Sequence, residues 1–189
     1  RTEKKLSFKV AYLGPAVTGK GTMSSRLSKK YNLVNIDTGA TYRCVTLEMM
    51  NQNIGMDEEE KIAEMLKSIQ IELSTEKGKQ KVFLKGQDVT DKIRSKEVSA
   101  NVSPVSSIKL VRLAMGGLQR KMAQGKDVIM EGRDIGTVIF PNADVKIYLD
   151  ANVEVRAKRR LKQNEEIGIK MSYEEVLENI KKRDKNDME

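Results

Sequence analysis

The sequence predicts a three-layer α/β fold with a parallel sheet, and three observations support this prediction. Short apolar runs with the length of strands alternate along the chain with stretches of helical periodicity. The first apolar run, at 8–13, leads into a glycine-rich segment at 14–22, and a predicted helix covers 20–30. A second predicted strand at 33–36 follows that helix, so a parallel crossover is the expected connection.

The glycine-rich segment has the composition of a loop that binds phosphate. Gly14 and Gly19 allow a tight turn, so that successive backbone N–H groups point at one anion. The helix that follows adds its free N–H groups and its positive dipole end, and Lys20 reaches the outer phosphates of a nucleotide. Two glycines, a lysine and a hydroxyl at these offsets disfavour an ordinary strand-to-helix turn. The predicted nucleotide-binding residues are Gly14, Pro15, Ala16, Val17, Thr18, Gly19, Lys20, Gly21 and Thr22.

One position departs from the general phosphate-loop pattern. That pattern has Ser or Thr directly after the lysine, where the hydroxyl ligates Mg²⁺. Here the position is Gly21, and Thr22 comes one residue later. We therefore expect Mg²⁺ to be carried by the phosphates of ATP and by waters, with no direct protein ligand. The Gly-Lys-Gly-Thr variant resembles the nucleoside monophosphate kinases more than the GTPases or motor ATPases.

The histidine and cysteine content limits the kinds of catalysis that are open to this chain. The chain has no histidine, which excludes histidine-based acid–base catalysis and histidine metal sites. This suits phosphoryl transfer to a phosphate acceptor, whose attacking oxygen is already anionic near neutral pH. Cys44 is the single cysteine, so no internal disulfide forms and a cytoplasmic location fits; a structural thiol is the preferred interpretation.

Charge and hydropathy bear on partners. The net charge is +8, which fits either two bound polyanionic nucleotides or nucleic acid. Aromatic residues make up only 4% of the chain and no aromatic-basic ladder is present, which disfavours a platform for single strands. No apolar stretch has membrane-spanning length and no signal peptide is recognisable. We expect the protein to be a monomer that binds neither nucleic acid nor a membrane.

A second motif, Asp37-Thr38-Gly39-Ala40-Thr41-Tyr42-Arg43, follows the second predicted strand. Ligands of open parallel sheets gather at the carboxyl ends of the strands. Gly39 permits the turn, a helix is predicted from Ala40, and Arg43 lies within its first turn or so. The alternative is a capped helix with a solvated arginine.

Together with the loop, this motif makes the chain resemble the bacterial-type cytidylate kinases. Further matches are Glu131-Gly132-Arg133-Asp134-Ile135-Gly136-Thr137-Val138, then Pro141, and then Arg183-Asp184. The resemblance runs across 10–187. It implies a P-loop NTPase fold with a β-rich insert in the monophosphate-binding region and a short helical lid. It also implies transfer of the γ-phosphoryl group of ATP, with Mg²⁺, to CMP or dCMP.

The resemblance assigns roles to site residues. It gives the acceptor phosphate to Arg43 and Arg133, the cytosine edge to Ser103 and Arg112 with Asp134 as candidate for the amino group, and lid closure to the arginines of 152–170. The expected catalytic residues are Lys20, Arg133, Arg156, Arg159 and Arg160. The expected substrate-binding residues are Asp37, Thr38, Arg43, Ser103, Arg112, Arg133, Asp134, Arg183 and Asp187. Glu131, where the family usually has Asp, is a possible outer-shell contact of Mg²⁺.

The remaining elements follow from periodicity. Helices are predicted at 57–67, from Ser103 and Pro104 onward, after a cap at Asn152 or Asp150, and after a capping box formed by Ser172 and Glu175. Short strands are predicted at 69–73, 81–84, 127–130 and 145–149, with a polar stretch from 89 to 101. The buried face of the helix after Pro104 is predicted to be Val105, Ile108, Val111, Met115, Leu118 and Met122.

We expect a single kinase domain over 1–189. Its core is placed at 7–60, 104–150 and 171–189, the β insert at 69–102 and the lid at 152–170. The final strand and helix of the family are absent and Arg1 is not a starter methionine, so the sequence is expected to be incomplete at both ends. Alternatives are a kinase for UMP or AMP, a basic nucleic-acid-binding NTPase and an inactive nucleotide-binding scaffold.

Overall fold

The computed structural model of this chain describes residues 7–15, 17–76, 79–166 and 168–188, except for the side chains of 183 and 186–188. The helices are α1 Lys20–Tyr31, α2 Thr38–Asn51, α3 Glu59–Ser68, α4 Lys96–Ser107, α5 Lys109–Met122, α6 Val153–Glu166 and α7 Tyr173–Met188. The strands are β1 Lys9–Leu13, β2 Val34–Asp37, β3 Ile71–Glu76, β4 Lys79–Leu84, β5 Gln87–Asp88, β6 Val128–Gly132 and β7 Val145–Tyr148. A 3₁₀ turn, Lys92–Arg94, and a π-helical turn, Ile135–Ile139, complete the described elements.

The chain divides into two compact units. The middle unit contains Ile36–Lys126, and the sheet unit contains Phe8–Asn35 and Asp127–Glu189. Among the described residues, no helix is long and apolar enough to cross a membrane.

The sheet unit is built around β1. Its neighbours β6 and β7 both run parallel to it, and the strand order is β2-β6-β1-β7. Val128, Ile129 and Met130 of β6 are completely buried, as expected of a parallel strand covered on both faces. Leu13 pairs with Gly132 in the register of β1 and β6, so the segments that follow these two strands leave the same edge of the sheet.

Helices α6 and α7 of the sheet unit pack on each other through a small apolar cluster. Its buried members are Ala157, Val176 and Ile180. The predicted capping box is present, because Ser172 N donates to Glu175 Oε2 at 2.7 Å and Glu175 N donates to Ser172 Oγ at 3.2 Å. Of the two predicted caps of α6, Asn152 is the one observed, since its Oδ1 accepts a bond from Glu154 N at 2.8 Å.

The middle unit holds the larger apolar core, to which α2, α3, α4, α5 and the antiparallel pair β3–β4 all contribute. The predicted strands of this region are present. The predicted buried face after Pro104 is also confirmed: Val105, Val111 and Met115 are buried, and Ile108, Leu118 and Met122 pack against the same core.

The prediction of one helix opening at Ser103 and Pro104 was wrong. Ser95 begins a helix eight residues earlier by accepting a bond from Val98 N at 3.3 Å, and Pro104 lies inside that helix, α4. Ile108 is extended, with φ −67° and ψ 121°, and separates α4 from α5. The polar stretch at 89–101 hid the beginning of α4, whose buried Val98 and Val102 are four residues apart.

Candidate active site

The loop after β1 has a backbone conformation that requires glycine at position 14. Gly14 has φ 147°, and a Cβ at this position would lie 2.0 Å from the carbonyl oxygen of Leu149. Gly19, with φ 92°, precedes the first turn of α1. Val17 has φ 63°, a left-handed conformation that is unfavourable for a β-branched residue. Ala16 lies outside the described residues.

The side chain of Lys20 lies within this loop. Its Nζ donates to the carbonyl oxygens of Gly14 at 2.7 Å and Pro15 at 2.6 Å. Thr18 is buried, and its Oγ1 donates to the Pro15 carbonyl at 3.1 Å. Lysine and loop thus form one hydrogen-bonded unit at the N-terminus of α1, where the helix dipole favours an anion. Gly21 and Thr22 are exposed at the start of α1.

Glu131 ends the buried part of β6 beside α1. A Cβ built on Gly21 would lie 3.7 Å from Glu131 Oε1 and 3.8 Å from Oε2, so the carboxylate lies next to the residue that follows the loop lysine. Burial raises the pKa of Tyr12, its partner in β1, and the charge of Glu131 raises it further. Among the described residues, no group of three or more Asp, Glu, Cys or His side chains could hold a metal ion.

Ser24 is a contact of Glu131 that the sequence analysis missed. It is completely buried, and its Oγ donates to Glu131 Oε2 and approaches the Gly21 carbonyl oxygen at 3.2 Å. The available signal was its spacing: Lys20 and Ser24 are four residues apart and therefore share a face of α1.

The arginines of α6 differ in their surroundings. Arg156 is buried and forms a bidentate ion pair with Asp184 of α7, while its Nε donates to the Ala151 carbonyl at 3.0 Å. Arg159 is exposed, and its Nη1 donates to the Thr18 carbonyl of the loop at 3.1 Å. Arg160 is half-buried, and burial lowers its pKa.

Arg133 and Asp134 follow β6 at the sheet edge that also carries the loop. Both residues are half-buried, and neither is without an interaction partner. The Asp134 carbonyl accepts a bond from Val138 N at 2.8 Å, which begins the π-helical turn Ile135–Ile139. This turn was not predicted from the sequence.

In the middle unit, α2 carries the second motif. Asp37 caps the helix by accepting a bond from Ala40 N at 3.3 Å, and Thr38 is buried. Arg43 is half-buried, and its Nη1 donates to the Ile93 carbonyl and to Ser99 Oγ, both at 2.9 Å. The alternative of a solvated arginine therefore does not describe Arg43.

The remaining predicted residues lie on three helices. Ser103 on α4 is half-buried, and its carbonyl accepts bonds from the hydroxyls of Ser106 at 2.8 Å and Ser107 at 3.1 Å. Arg112 is exposed on α5. Arg183 and Asp187 belong to α7, but their side chains lie outside the described residues.

Cys44 has the surroundings of a structural thiol. It is completely buried in the core of the middle unit. Burial raises the pKa of its thiol to about 12, and the negative charge of Asp37 adds to the shift. The nucleophilic thiolate is therefore disfavoured at neutral pH.

These features define a class of protein. A parallel sheet whose first strand runs through a glycine-rich, lysine-bearing loop into a helix is the phosphate-loop fold of nucleotide-binding kinases and NTPases.

Comparison with known proteins gives the family. The family model described as cytidylate kinase matches residues 10–189, and the chain belongs to that family. The cytidylate kinase of Bacillus subtilis (strain 168) is 46% identical over 187 residues, which cover 99% of this chain and 83% of that protein. The cytidylate kinase of Caldicellulosiruptor saccharolyticus is 47% identical over 179 residues, 95% of this chain and 79% of that protein.

Among solved structures, an uncharacterized protein from Eubacterium ventriosum is similar with a TM-score of 0.48 and 12% sequence identity. The match covers 96% of this chain and 73% of that one. The family match confirms both the resemblance and the predicted α/β phosphate-loop fold.

Proposed function

We propose that this chain, a kinase that transfers the γ-phosphoryl group of ATP to CMP or dCMP, holds the donor with the loop of 14–22 and the acceptor phosphate with Arg43 and Arg133. The family match carries the activity. The observation that best supports the donor site is the position of Lys20 Nζ against the Gly14 and Pro15 carbonyls of the loop.

The donor half of the proposal uses main-chain groups. Loop amides and the N-terminus of α1 bind the β-phosphate, and Lys20 exchanges its carbonyl partners for β- and γ-phosphate oxygens. A phosphate oxygen of CMP attacks the γ-phosphorus in line, and the bond from that phosphorus to the β–γ bridging oxygen breaks. ADP leaves with the electron pair of that bond. Positioning and charge neutralisation supply the catalysis.

The acceptor half uses side chains. Guanidinium groups bind phosphate with two parallel hydrogen bonds, which is the role proposed for Arg43 and, on the strength of its motif, for Arg133. No general base is needed, because the acceptor oxygen is already ionised. Asp37 and Thr38 at the start of α2, and Arg183 and Asp187 of α7, are proposed to complete the acceptor contacts.

Preference for cytosine is proposed to come from Ser103, Arg112 and Asp134. A hydroxyl and a guanidinium donate to the O2 and N3 acceptors of cytosine, and a carboxylate accepts from its amino group. Uracil has a carbonyl in place of that amine, so the carboxylate would lose its partner.

Mg²⁺ is proposed to arrive with ATP and to neutralise charge on its β- and γ-phosphate oxygens. The residues fit this arrangement. Gly21 has no hydroxyl that could bind the ion, and the carboxylate beside it is that of Glu131. Such a site suits Mg²⁺, because this ion retains most of its waters when few protein ligands are present.

The lid arginines are proposed to have different roles. Arg159, bonded to the loop, neutralises the migrating phosphoryl group, and Arg160 assists it. Arg156 is proposed to act through the position of α6, because Asp184 already pairs with its guanidinium. The proposed organisation remains one kinase domain, with its core at 7–60, 104–150 and 171–189, an insert at 69–102 and a lid at 152–170.

We further propose a cytoplasmic monomer that acts without nucleic acid or membrane. ATP and CMP are cytoplasmic metabolites. Because Cys44 is the single cysteine of this sequence, it has no partner for a disulfide within the sequence, which suits a reducing compartment.

The test is a coupled assay of ADP release with CMP, dCMP, UMP and AMP in parallel. CMP and dCMP are expected to exceed AMP in kcat/KM by about 100-fold or more, because another base would leave the groups proposed to bind the cytosine edge without their partners. Equal rates with AMP or UMP would contradict the cytosine assignment. ATP hydrolysis that depends on added DNA or RNA would instead favour the nucleic-acid-binding NTPase.

A further inference from the structure

The residue after the loop lysine provides no hydroxyl in this chain, yet a hydroxyl is present one turn further along α1. Ser24 Oγ contacts both the carbonyl oxygen of Gly21, at 3.2 Å, and the carboxylate of Glu131. Ser24 is completely buried, so water does not compete with it for these partners.

The contact fixes where the Glu131 carboxylate lies. A glutamate has three rotatable bonds, and its carboxylate is poorly placed unless another group holds it. The bond from Ser24 keeps both oxygens within 3.8 Å of the Cβ position of Gly21, which is where the general pattern has its metal-binding hydroxyl. A protein oxygen thus lies near the position that the hydroxyl has in the general pattern, but this oxygen belongs to a residue of β6 and not to one of α1.

We infer that Ser24 is a positioning residue for Mg²⁺–nucleotide binding, and that it acts by holding the Glu131 carboxylate beside Gly21. The inference rests on the proposed function, since it requires that the loop bind a nucleotide with Mg²⁺. Groups that orient the ligands of a metal typically change metal affinity when they are removed, even though they do not touch the metal.

The experiment measures ADP binding by calorimetry in Mg²⁺ and in EDTA, for the wild type, Ser24→Ala, Glu131→Gln and the double variant. The readout is the ratio of the two affinities, that is, the gain due to Mg²⁺. Ser24→Ala should reduce this gain about tenfold and leave affinity in EDTA within about twofold. The double variant should lose no more of the gain than Glu131→Gln alone, because both changes remove one arrangement. Ser25→Ala is the matched control, the same substitution at the next residue of α1.

Each outcome separates the inference from the proposed function. If the wild type gains nothing from Mg²⁺, the proposed function fails and the inference fails with it. If the wild type gains but Ser24→Ala gains equally, the inference alone is overturned. An equal loss in Mg²⁺ and EDTA would show that Ser24 only supports the loop, and additive losses in the double variant would show that Ser24 acts independently of Glu131. Both results overturn the inference.

Discussion

The loop of the sheet unit and the Arg43 cluster of the middle unit are built in opposite ways. The loop depends on backbone conformation within a few consecutive residues, with Gly14 and Gly19 at positive φ and Lys20 bonded to Gly14 and Pro15 carbonyls. The Arg43 cluster, that is, Arg43 with the Ile93 carbonyl and Ser99 Oγ, depends on groups brought together across the sequence, since these partners are 50 and 56 positions away. The first can be disrupted by a single Cβ, whereas the second can be weakened gradually.

Gly14→Ala should have the largest effect, because it tests whether the loop really depends on backbone geometry. A Cβ 2.0 Å from the Leu149 carbonyl cannot be accommodated without moving main chain. We expect the free energy of unfolding to fall by about 4 kcal/mol, the sum of strain and overpacking. Urea denaturation followed by circular dichroism gives this value.

The matched control is Gly86→Ala in the middle unit. Gly86 also has positive φ, 78°, but apart from its own chain neighbours no atom of the described residues lies within 4 Å of its Cβ position. Only the conformational cost should appear, about 1 kcal/mol. If the two variants lose the same stability, the contact with Leu149 is not what requires glycine at position 14.

Lys20→Ala tests the chemical half of the loop. We expect kcat to fall by about two to three powers of ten, as for other lost charge stabilisers, which corresponds to about 3–4 kcal/mol. The thermal midpoint should fall by about 2–4 °C, because Lys20 is half-buried and the change removes its bonds to the Gly14 and Pro15 carbonyls, at a cost of about 1 kcal/mol. Lys29→Ala, at the exposed end of the same helix, controls for loss of a positive charge. Near-normal turnover of Lys20→Ala would refute the donor-site assignment.

This contrast also explains what the sequence could predict. The loop and the capping box at Ser172 and Glu175 are local patterns. Apolar runs identified β1 and β6, and helical periodicity identified the face that includes Val111 and Met115. Local patterns can be predicted from the sequence because each depends on residues a few positions apart.

What the sequence did not predict depends on long-range packing. The bonds from Arg43 to Ile93 and Ser99 require the fold of a segment that composition marked as polar. The pairing of Arg156 with Asp184 joins residues 28 positions apart, and charge spacing along α6 cannot distinguish Arg156 from Arg159. Helix spacing shows which side chains share a face, and only packing shows what that face meets.

The two arginines of α6 give the next test, because one is held by a side chain and the other by loop backbone. Arg156→Ala should lower the free energy of unfolding by about 2 kcal/mol, since it leaves the partly buried Asp184 without its partner. Arg159→Ala should change stability by less than about 0.5 kcal/mol, since it is exposed, but should lower kcat about tenfold. Denaturation and steady-state kinetics on both variants decide this. The reverse pattern would assign Arg156, not Arg159, to the phosphates.

Ser99→Ala should have the smallest effect and tests the middle unit alone. Ser99 is exposed, so water can replace its hydroxyl as a partner of Arg43, and the bond to the Ile93 carbonyl remains. We expect the KM for CMP to rise about threefold, the value of one partly compensated hydrogen bond, with the KM for ATP and kcat unchanged. Ser68→Ala, which removes a hydroxyl bonded to the Met65 carbonyl in the same unit, is the control. A rise in the KM for ATP instead would mean that Arg43 serves the donor nucleotide. If the KM for CMP does not change, the side-chain cluster does not orient Arg43, and the contrast with the loop would rest on the backbone bond to Ile93 alone.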